Sequence, residues 1–261
     1  MGNDERRKLL LRQLSERQRL SVDQIVHLLH ASPATVRRDI SWLAARAMLK
    51  RVRGGAEHQA SARTHALAGE TFQQSLGVRT GEKRAIARRA AALCQDGETI
   101  IIHGGTTTFH MVEFLTERRM TVVTNSFLMA EQLLRRSRNE IILPGGQIYR
   151  EHNVILSPFE SDITQHHYAT RMFLGAAALS PMGLLETDSL LIQSEKRLIT
   201  QATELVVLAD SSKFRPSRAN HILCPLTRLH TVITDNQVSS QAVQMLEAAG
   251  AKVVIVEPEA A

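Results

Sequence analysis

The sequence predicts an α/β chain in two parts: a small N-terminal winged helix-turn-helix module, then a larger unit built on a mostly parallel sheet. Three observations predict it. Two short capped helical stretches near the N-terminus are separated by only His30-Ala31. From Thr99 onward, short continuous apolar runs alternate with helical patterns, as in a parallel sheet covered on both faces. Charge is also divided: residues 1–60 carry 12 Lys+Arg against 6 Asp+Glu, while the remaining residues carry 20 of each, so the net +6 resides in the first part. The expected boundaries are residues 1–58 for the first module, 59–80 for a linker and 81–257 for the α/β unit.

In the first module, Asp4 to Arg17 sets Leu9, Leu10 and Leu14 among charges, which reads as an amphipathic helix. Ser21 caps a second helix whose apolar face is Val22, Ile25, Val26, Leu28 and Leu29. Ser32 caps a third, with Pro33 at the first helical position, where its missing N–H costs nothing. Val36, Ile40 and Leu43 recur at helical spacing toward a core, and the helix is expected to run to about Met48. Leu49-Lys50-Arg51-Val52-Arg53-Gly54-Gly55-Ala56 alternates apolar and basic residues and ends in a glycine pair, the pattern of a β-ribbon wing.

A tightly joined helix pair of this kind places its second helix in the major groove of DNA. Ser32, Ala34, Thr35, Arg37 and Arg38 fall away from the apolar stripe. Small and hydroxyl side chains permit close approach to base edges, and Arg grips guanine or phosphate. Lys50, Arg51 and Arg53 on the wing suit phosphates or a neighbouring minor groove. Taken alone, the third helix also fits a capped surface helix with a solvated Arg pair. The local basic excess favours a polyanion partner for this module, in keeping with duplex DNA.

Residues 57–80 lose periodicity, with Glu57 to Arg63 reading as a linker and Thr71 to Thr80 as a polar connector. A helix is expected from Gly81 to about Cys94. Strands follow at Thr99–Ile102, Thr121–Thr124, Glu140–Leu143, Met172–Leu174, Leu205–Leu208, Thr231–Ile233 and Val253–Val256. Helices are expected at Thr107–Leu115, Leu128–Arg136, Leu190–Ala202 and Ser239–Ala249. In such sheets ligands bind beyond the carboxyl ends of the strands, and polar, glycine-rich segments stand there. After the first strand, Gly104, Gly105, Thr106, Thr107 and Thr108 combine close backbone approach, hydroxyl donors and a helix N-terminus, a combination that suits a phosphate. It equally fits a strand-to-helix turn capped by Thr. Asn125 and Ser126 follow the second strand, and Gly145 and Gly146 the third. Lys213, in Asp210-Ser211-Ser212-Lys213-Phe214, is the natural charge partner for a phosphate or carboxylate. Glu195 and Lys196 either reach the same region or form exposed helix pairs.

No apolar run approaches a membrane span, and no signal region follows the basic N-terminus. The 2 cysteines, Cys94 and Cys224, lie too far apart for a disulfide framework or a metal motif. His103 and His166-His167 lack the spaced partners a metal site needs. The expectation is a reduced, cytoplasmic protein with no metal, no cofactor and no membrane partner. An enzymatic alternative, a phosphosugar isomerase or hydrolase fused to a nucleic-acid module, needs a general base beside the anion loop. His103 and Asp210 are its candidates.

Ser32-Pro33-Ala34-Thr35-Val36-Arg37-Arg38-Asp39-Ile40 with Arg53-Gly54-Gly55-Ala56 resembles the DNA-binding signature of DeoR-type bacterial transcription regulators. Gly105-Thr106-Thr107-Thr108, Thr124-Asn125-Ser126, Pro144-Gly145-Gly146 and Asp210-Ser211-Ser212-Lys213-Phe214 resemble that family's sensor domain in the same order, over about residues 4–257. The resemblance implies a repressor of a sugar-catabolic operon. Its sensor domain would resemble ribose-5-phosphate isomerase and related phosphosugar enzymes, answer to a phosphorylated sugar or sugar acid, and assemble as a homodimer or homotetramer without itself being an enzyme. Ile155-Leu156-Ser157-Pro158 and Glu186-Thr187-Asp188 resemble the branch that includes the ascorbate-utilisation repressor. The family commonly has an acidic residue where this chain has His103, so imidazole stands in for a carboxylate that would bind sugar hydroxyls or act as a base.

Overall fold

The computed structural model describes residues 3–17, 19–45, 48–58, 70–157 and 162–258. Its internal contacts divide the chain into two compact units, Met1–Leu67 and Ala68–Ala261.

The first unit contains α1 (Asn3–Arg17), β1 (Arg19–Ser21), α2 (Val22–Leu29), α3 (Pro33–Ala45), β2 (Leu49–Val52) and β3 (Gly55–His58). Leu10, Leu14, Leu20, Ile25, Leu29, Val36, Ile40, Leu43, Leu49 and Ala56 form one core. Ser21 and Gln24 cap α2 reciprocally: Gln24 N–H donates to Ser21 Oγ (3.2 Å) and Ser21 N–H to Gln24 Oε1 (2.8 Å). His30 then turns left-handed at φ 47°, reversing the chain within two residues of the next cap. Ser32 Oγ accepts from Thr35 N–H at 3.2 Å and starts α3. The helix is described as far as Ala45, positions 46 and 47 lie outside the described residues, and Met48 is a bend. The wing has three antiparallel strands in the order β1-β3-β2, not two. The third, β1, is a three-residue segment too short to announce itself by alternation. Gly55 is required by that pairing, since a Cβ there would lie 2.1 Å from the Leu20 carbonyl oxygen.

The second unit opens with α4 (Glu70–Leu76) and α5 (Thr80–Ala91). Of the stretch expected to be a linker, residues 59–69 lie outside the described residues, and 70–76 are helical. Buried Phe72 explains this: its ring packs edge-on against Phe109 with centroids 5.9 Å apart, and that tertiary contact overrides a polar local sequence. Then follow β4 (Thr99–Ile102), α6 (Thr106–Phe109) with a 3₁₀ turn at His110–Phe114, β5 (Thr121–Thr124), α7 (Phe127–Arg136), β6 (Glu140–Ile142), and the hairpin β7 (Gln147–Tyr149) and β8 (Val154–Leu156). The chain continues through β9 (Ala169–Leu174), β10 (Ala178–Ser180), β11 (Gly183–Glu186), α8 (Ser189–Ile199), β12 (Ala202–Leu208), a 3₁₀ turn at Ser211–Phe214, β13 (His221–Cys224), β14 (Thr231–Asp235), α9 (Ser240–Ala248) and β15 (Lys252–Val256).

Seven strands, β15-β14-β12-β9-β4-β5-β6, form one all-parallel sheet. Its two faces carry separate cores. Ile100 and Ile102 join Phe173, Val206, Leu208 and Ile233 under α5 and α7, whereas Ile101 joins Met172, Leu205, Val207 and Val232 under α8 and α9. Burial on both faces is what makes the strands read as unbroken apolar runs. From β4 the order runs outward through β5 and β6, and β9 restarts on the other side of β4. The topological switch therefore lies between β4 and β9, where doubly wound sheets bind ligands. Two smaller antiparallel pieces, β7-β8 and β10-β11-β13, were not legible as strands. The helix expected at Thr107–Leu115 is four α-helical residues and a 3₁₀ turn, so it offers less dipole than a full helix would.

Candidate nucleic-acid interface and sensor edge

On the first unit, α3 separates its residues by face. Val36, Ile40 and Leu43 are buried, while Ser32, Ala34, Arg37 and Arg38 are exposed and Thr35 is half-buried. Ser32 serves mainly as the cap, its Oγ also lying 2.9 Å from Thr35 Oγ1. Lys50, Arg51 and Arg53 are exposed on the wing and its turn. Arg51 reaches Ser41 Oγ at 3.3 Å. Among the described residues, Arg37, Arg38, Lys50 and Arg53 make no ion pair, which leaves these four basic side chains directed to solvent from one small unit.

Asp39 is the functional residue that pattern reading missed. It occupies the apolar stripe of α3 and is buried, where Arg6 Nε approaches to 2.6 Å and Arg7 Nε to 2.8 Å. Arg7 also lies over the Trp42 ring, 4.0 Å from its centroid. Burial raises the Asp39 carboxyl, but hydrogen bonds and charge from Arg6 and Arg7 outweigh that and hold it below its ordinary range. The available signal was an acid at the i+3 position of an apolar 3.6 period, with two adjacent arginines on the first helix.

On the second unit, His103 follows β4 directly, and its N–H donates to Phe173 O of β9 at 2.9 Å, so it stands at the switch point. Gly104 N–H donates to Asn125 Oδ1 at 2.8 Å, joining the loops after β4 and β5. Thr108 Oγ1 donates to the carbonyls of His103 (2.8 Å) and Gly105 (3.0 Å), so that hydroxyl closes the turn. Thr107 is buried and Thr106 is half-exposed at the helix start. Ser126 caps α7 through Met129 N–H (3.3 Å) and accepts from Asn153 Nδ2 (3.0 Å). Gly145 and Gly146 stand apart. Both are exposed, no hydrogen bond among the described residues ties them to this cluster, and Gly146 backs onto the Leu156 carbonyl of the hairpin.

Glu195 is buried on α8, and Lys196 is exposed. His103 Nδ1 lies 3.3 Å from Glu195 Oε1. Burial, and then His152, push His103 down to about 4. Burial, and then Glu186, raise Glu195 well above the carboxylate range. Near neutral pH His103 is therefore a neutral imidazole, and burial disfavours the charged form of Glu195. Glu186 is itself raised by burial and feels Lys213, which extends the cluster to the Ser211–Phe214 turn. Lys213 is half-buried there. Close by, burial pushes Lys83 down to about 8 against the pull of Asp210, with Lys213 and Arg79 adding repulsion. Asp210 is occupied: Arg79 Nε is 3.1 Å away, an ion pair not aligned as a hydrogen bond, and Ser212 N–H donates to its Oδ1 at 3.0 Å. A separate shallow cleft is lined by Pro144, Ser157, Asp162, Thr164, Ser194 and Arg197, and neither His103 nor Lys213 borders it. Among the described residues no three His, Cys, Asp or Glu side chains gather to hold a metal.

A basic winged helix ahead of a parallel α/β unit with polar groups at its switch point defines a DNA-binding regulator with a sensor module. Residues 6–62 match the DeoR-like helix-turn-helix domain and residues 78–236 the DeoR C terminal sensor domain. The chain belongs to the DeoR family of transcriptional regulators. It is 31% identical over 256 residues to the HTH-type transcriptional regulator UlaR of Shigella sonnei (strain Ss046), covering 97% of this chain and 99% of that one. It is 30% identical, with the same coverage, to UlaR of Escherichia coli O9:H4 (strain HS). A ribose 5-phosphate isomerase A from Methanocaldococcus jannaschii superposes at TM-score 0.39 with 19% identity, over 51% of this chain and 53% of that one, a likeness too slight to bear on function. No described helix is long and apolar enough to cross a membrane.

Proposed function

We propose that this regulator is a cytoplasmic repressor of a sugar or sugar-acid catabolic operon. A phosphorylated sugar or sugar acid bound at the β4–β9 switch point sets its grip on operator DNA. The observation that carries the DNA half is the sorting of α3 and the wing: Val36, Ile40 and Leu43 turn inward, while Arg37, Arg38, Lys50, Arg51 and Arg53 turn to solvent. The ligand half rests on the convergence of His103, Gly104, Asn125, Glu195 and Lys213 at the sheet's carboxyl edge. Phosphate contacts position such a unit and base contacts choose the sequence, so Arg37 is assigned to bases and the wing to phosphates.

Binding without turnover is the reading we favour for the sensor unit. Asp210, one candidate base, is held by Arg79 and caps the 211–214 turn. His103, the other, is 3% exposed and already engaged with Glu195. As a symmetric dimer or tetramer, the protein would read half-sites spaced by about one helical turn, roughly 34 Å, or multiples of it.

Fluorescence anisotropy on duplexes from its own promoter region tests the proposal. The expected result is saturable binding whose log affinity falls linearly with log salt and which a phosphorylated sugar or sugar acid alters. Absence of any salt-dependent duplex binding overturns it, and so does turnover of a phosphosugar at an enzymatic rate.

A further inference from the structure

We propose that His103, Glu195 and Asn125 form the head-group end of the effector site, and that this end accepts an uncharged, hydroxyl-bearing terminus and rejects a carboxylate. The inference rests on the reading of this sheet edge as the effector site and narrows the ligand class within it.

Each of the three side chains has one polar atom fixed and another without a hydrogen-bond partner among the described residues. His103 is 3% exposed, Glu195 3% and Asn125 1%. His103 Nδ1 meets Glu195 Oε1 at 3.3 Å, while His103 Nε2 and Glu195 Oε2 are unpartnered. Asn125 Oδ1 takes the Gly104 N–H at 2.8 Å, and Asn125 Nδ2 is unpartnered. Buried polar atoms in folded proteins are rarely left so. These three lie on residues linked through the His103-Gly104 backbone at the switch point, where doubly wound sheets take ligands.

Their chemistry is mixed. An amide nitrogen only donates, whereas an imidazole nitrogen and a protonated or ionised carboxyl oxygen donate or accept according to where one proton sits. Hydroxyl groups also do both, so a run of hydroxyls can satisfy all three atoms. A carboxylate only accepts, and it requires a cation or several fixed donors once water is removed. Among the described residues no lysine or arginine pairs with His103, Glu195 or Asn125. His103 is neutral, the nearby His152 lies 3.8 Å from Asp188, and Glu186 already presses on Glu195. With His103 neutral, at least one of His103 Nε2 and Glu195 Oε2 acts as an acceptor whichever atoms hold the protons, and a ligand carboxylate, having no proton to give, would leave it unpaired. Lys213, by contrast, attracts Glu186 by its charge and suits the phosphate end.

The test uses matched ligand pairs that differ only at the terminus: a pentitol 5-phosphate against the corresponding pentonate 5-phosphate, and glucitol 6-phosphate against gluconate 6-phosphate, with inorganic phosphate as a third arm. Affinities are read on the full-length protein by calorimetry and thermal shift. The expected result is that in at least one pair the alditol phosphate binds at least about tenfold tighter than its acid, since a site built around hydrogen bonds to hydroxyls strongly rejects the wrong terminus. Glu195→Gln, which keeps the size and polarity but removes the acid, is expected to shrink that gap severalfold with an unchanged melting transition. Equal or tighter binding of the acid in every pair that binds overturns the inference and leaves the effector reading intact. If no pair member binds and inorganic phosphate does not either, the effector reading fails first and takes the inference with it. Should Glu195→Gln fail to fold, the wild-type pairs still decide the question.

Discussion

Asp39 lies on the inward face of α3 with Arg6 and Arg7 at 2.6 Å and 2.8 Å, so α3 is anchored to α1 by a buried charge. Asp39→Ala leaves two arginines without their buried acceptor and is expected to cost the first unit about 3 kcal/mol, read as a lowered denaturation midpoint together with weaker operator binding. The sign with pH follows from the same pairing. The carboxyl is held below its ordinary value near 3.8, so the stabilisation is complete above that value and disappears as pH falls through the lower folded value. His103 and His110 act in a higher window. Both are pushed by burial from 6.5 to about 4, so the unfolded chain binds more protons between those values. These two histidines therefore withdraw stability as pH is lowered from 6.5 toward 4, while the raised Glu186 and Glu195 act in the opposite sense, so the check is a residue-resolved NMR titration, and protonation of either imidazole near 6.5 would contradict the assignment. Arg37→Ala is expected to cost roughly 1–3 kcal/mol at the operator and to loosen sequence preference, whereas loss of a wing residue such as Lys50 weakens all duplexes alike and lowers the salt slope. Footprinting with unchanged selectivity for Arg37→Ala would remove it from the base-reading set.

Among the elements, those whose logic is local were legible before any coordinates. The cap at Ser32 with the Val36–Ile40–Leu43 period marks α3, and the Ile100-Ile101-Ile102 run marks a strand buried on two faces. What escaped depends on partners far away in sequence. α4 forms because Phe72 finds Phe109, and β10, β11 and β13 are three- and four-residue strands defined by pairing with one another. The loops after β4 and β5 are joined by the Gly104–Asn125 hydrogen bond, while Gly146 packs against the Leu156 carbonyl of the β7–β8 hairpin. Arg79 is the clearest case of a non-local role. Left-handed at φ 54° between α4 and α5, it reaches Ser211 Oγ at 2.8 Å, Asp235 at 3.3 Å and Asp210 at 3.1 Å. Asp235 in turn accepts the Ser211 N–H at 2.7 Å. The start of α5 is thus tied to the turn that carries Lys213. Arg79→Ala strands two buried carboxylates and should destabilise the second unit by about 3 kcal/mol in denaturant. Lysine, a point charge without the planar fork, should rescue little of that loss, and full rescue by Arg79→Lys would show that charge alone is what matters.

For the whole molecule, regulation requires that the effector bind two states of the protein unequally, since contact at the sheet edge alone shifts nothing. Linkage then makes the effect reciprocal: whatever factor the effector applies to operator affinity, operator DNA must apply to effector affinity. Lys213 separates the two functions. It lies in the second unit, on a turn capped by Asp210, and belongs to neither α3 nor the wing. Lys213→Ala is therefore expected to bind operator with unchanged affinity and an unchanged salt slope, because the counterions released on binding are set by the basic residues of the first unit. Its response to the effector should be lost, since the phosphate end loses its cation. Titrating effector into the protein–operator complex, and operator into the protein–effector complex, should give one coupling factor for the wild type and a factor of one for the variant. Normal effector-driven change in Lys213→Ala would move the phosphate site away from this turn. Weakened operator binding in the absence of effector would show that the turn is part of the DNA-binding state itself.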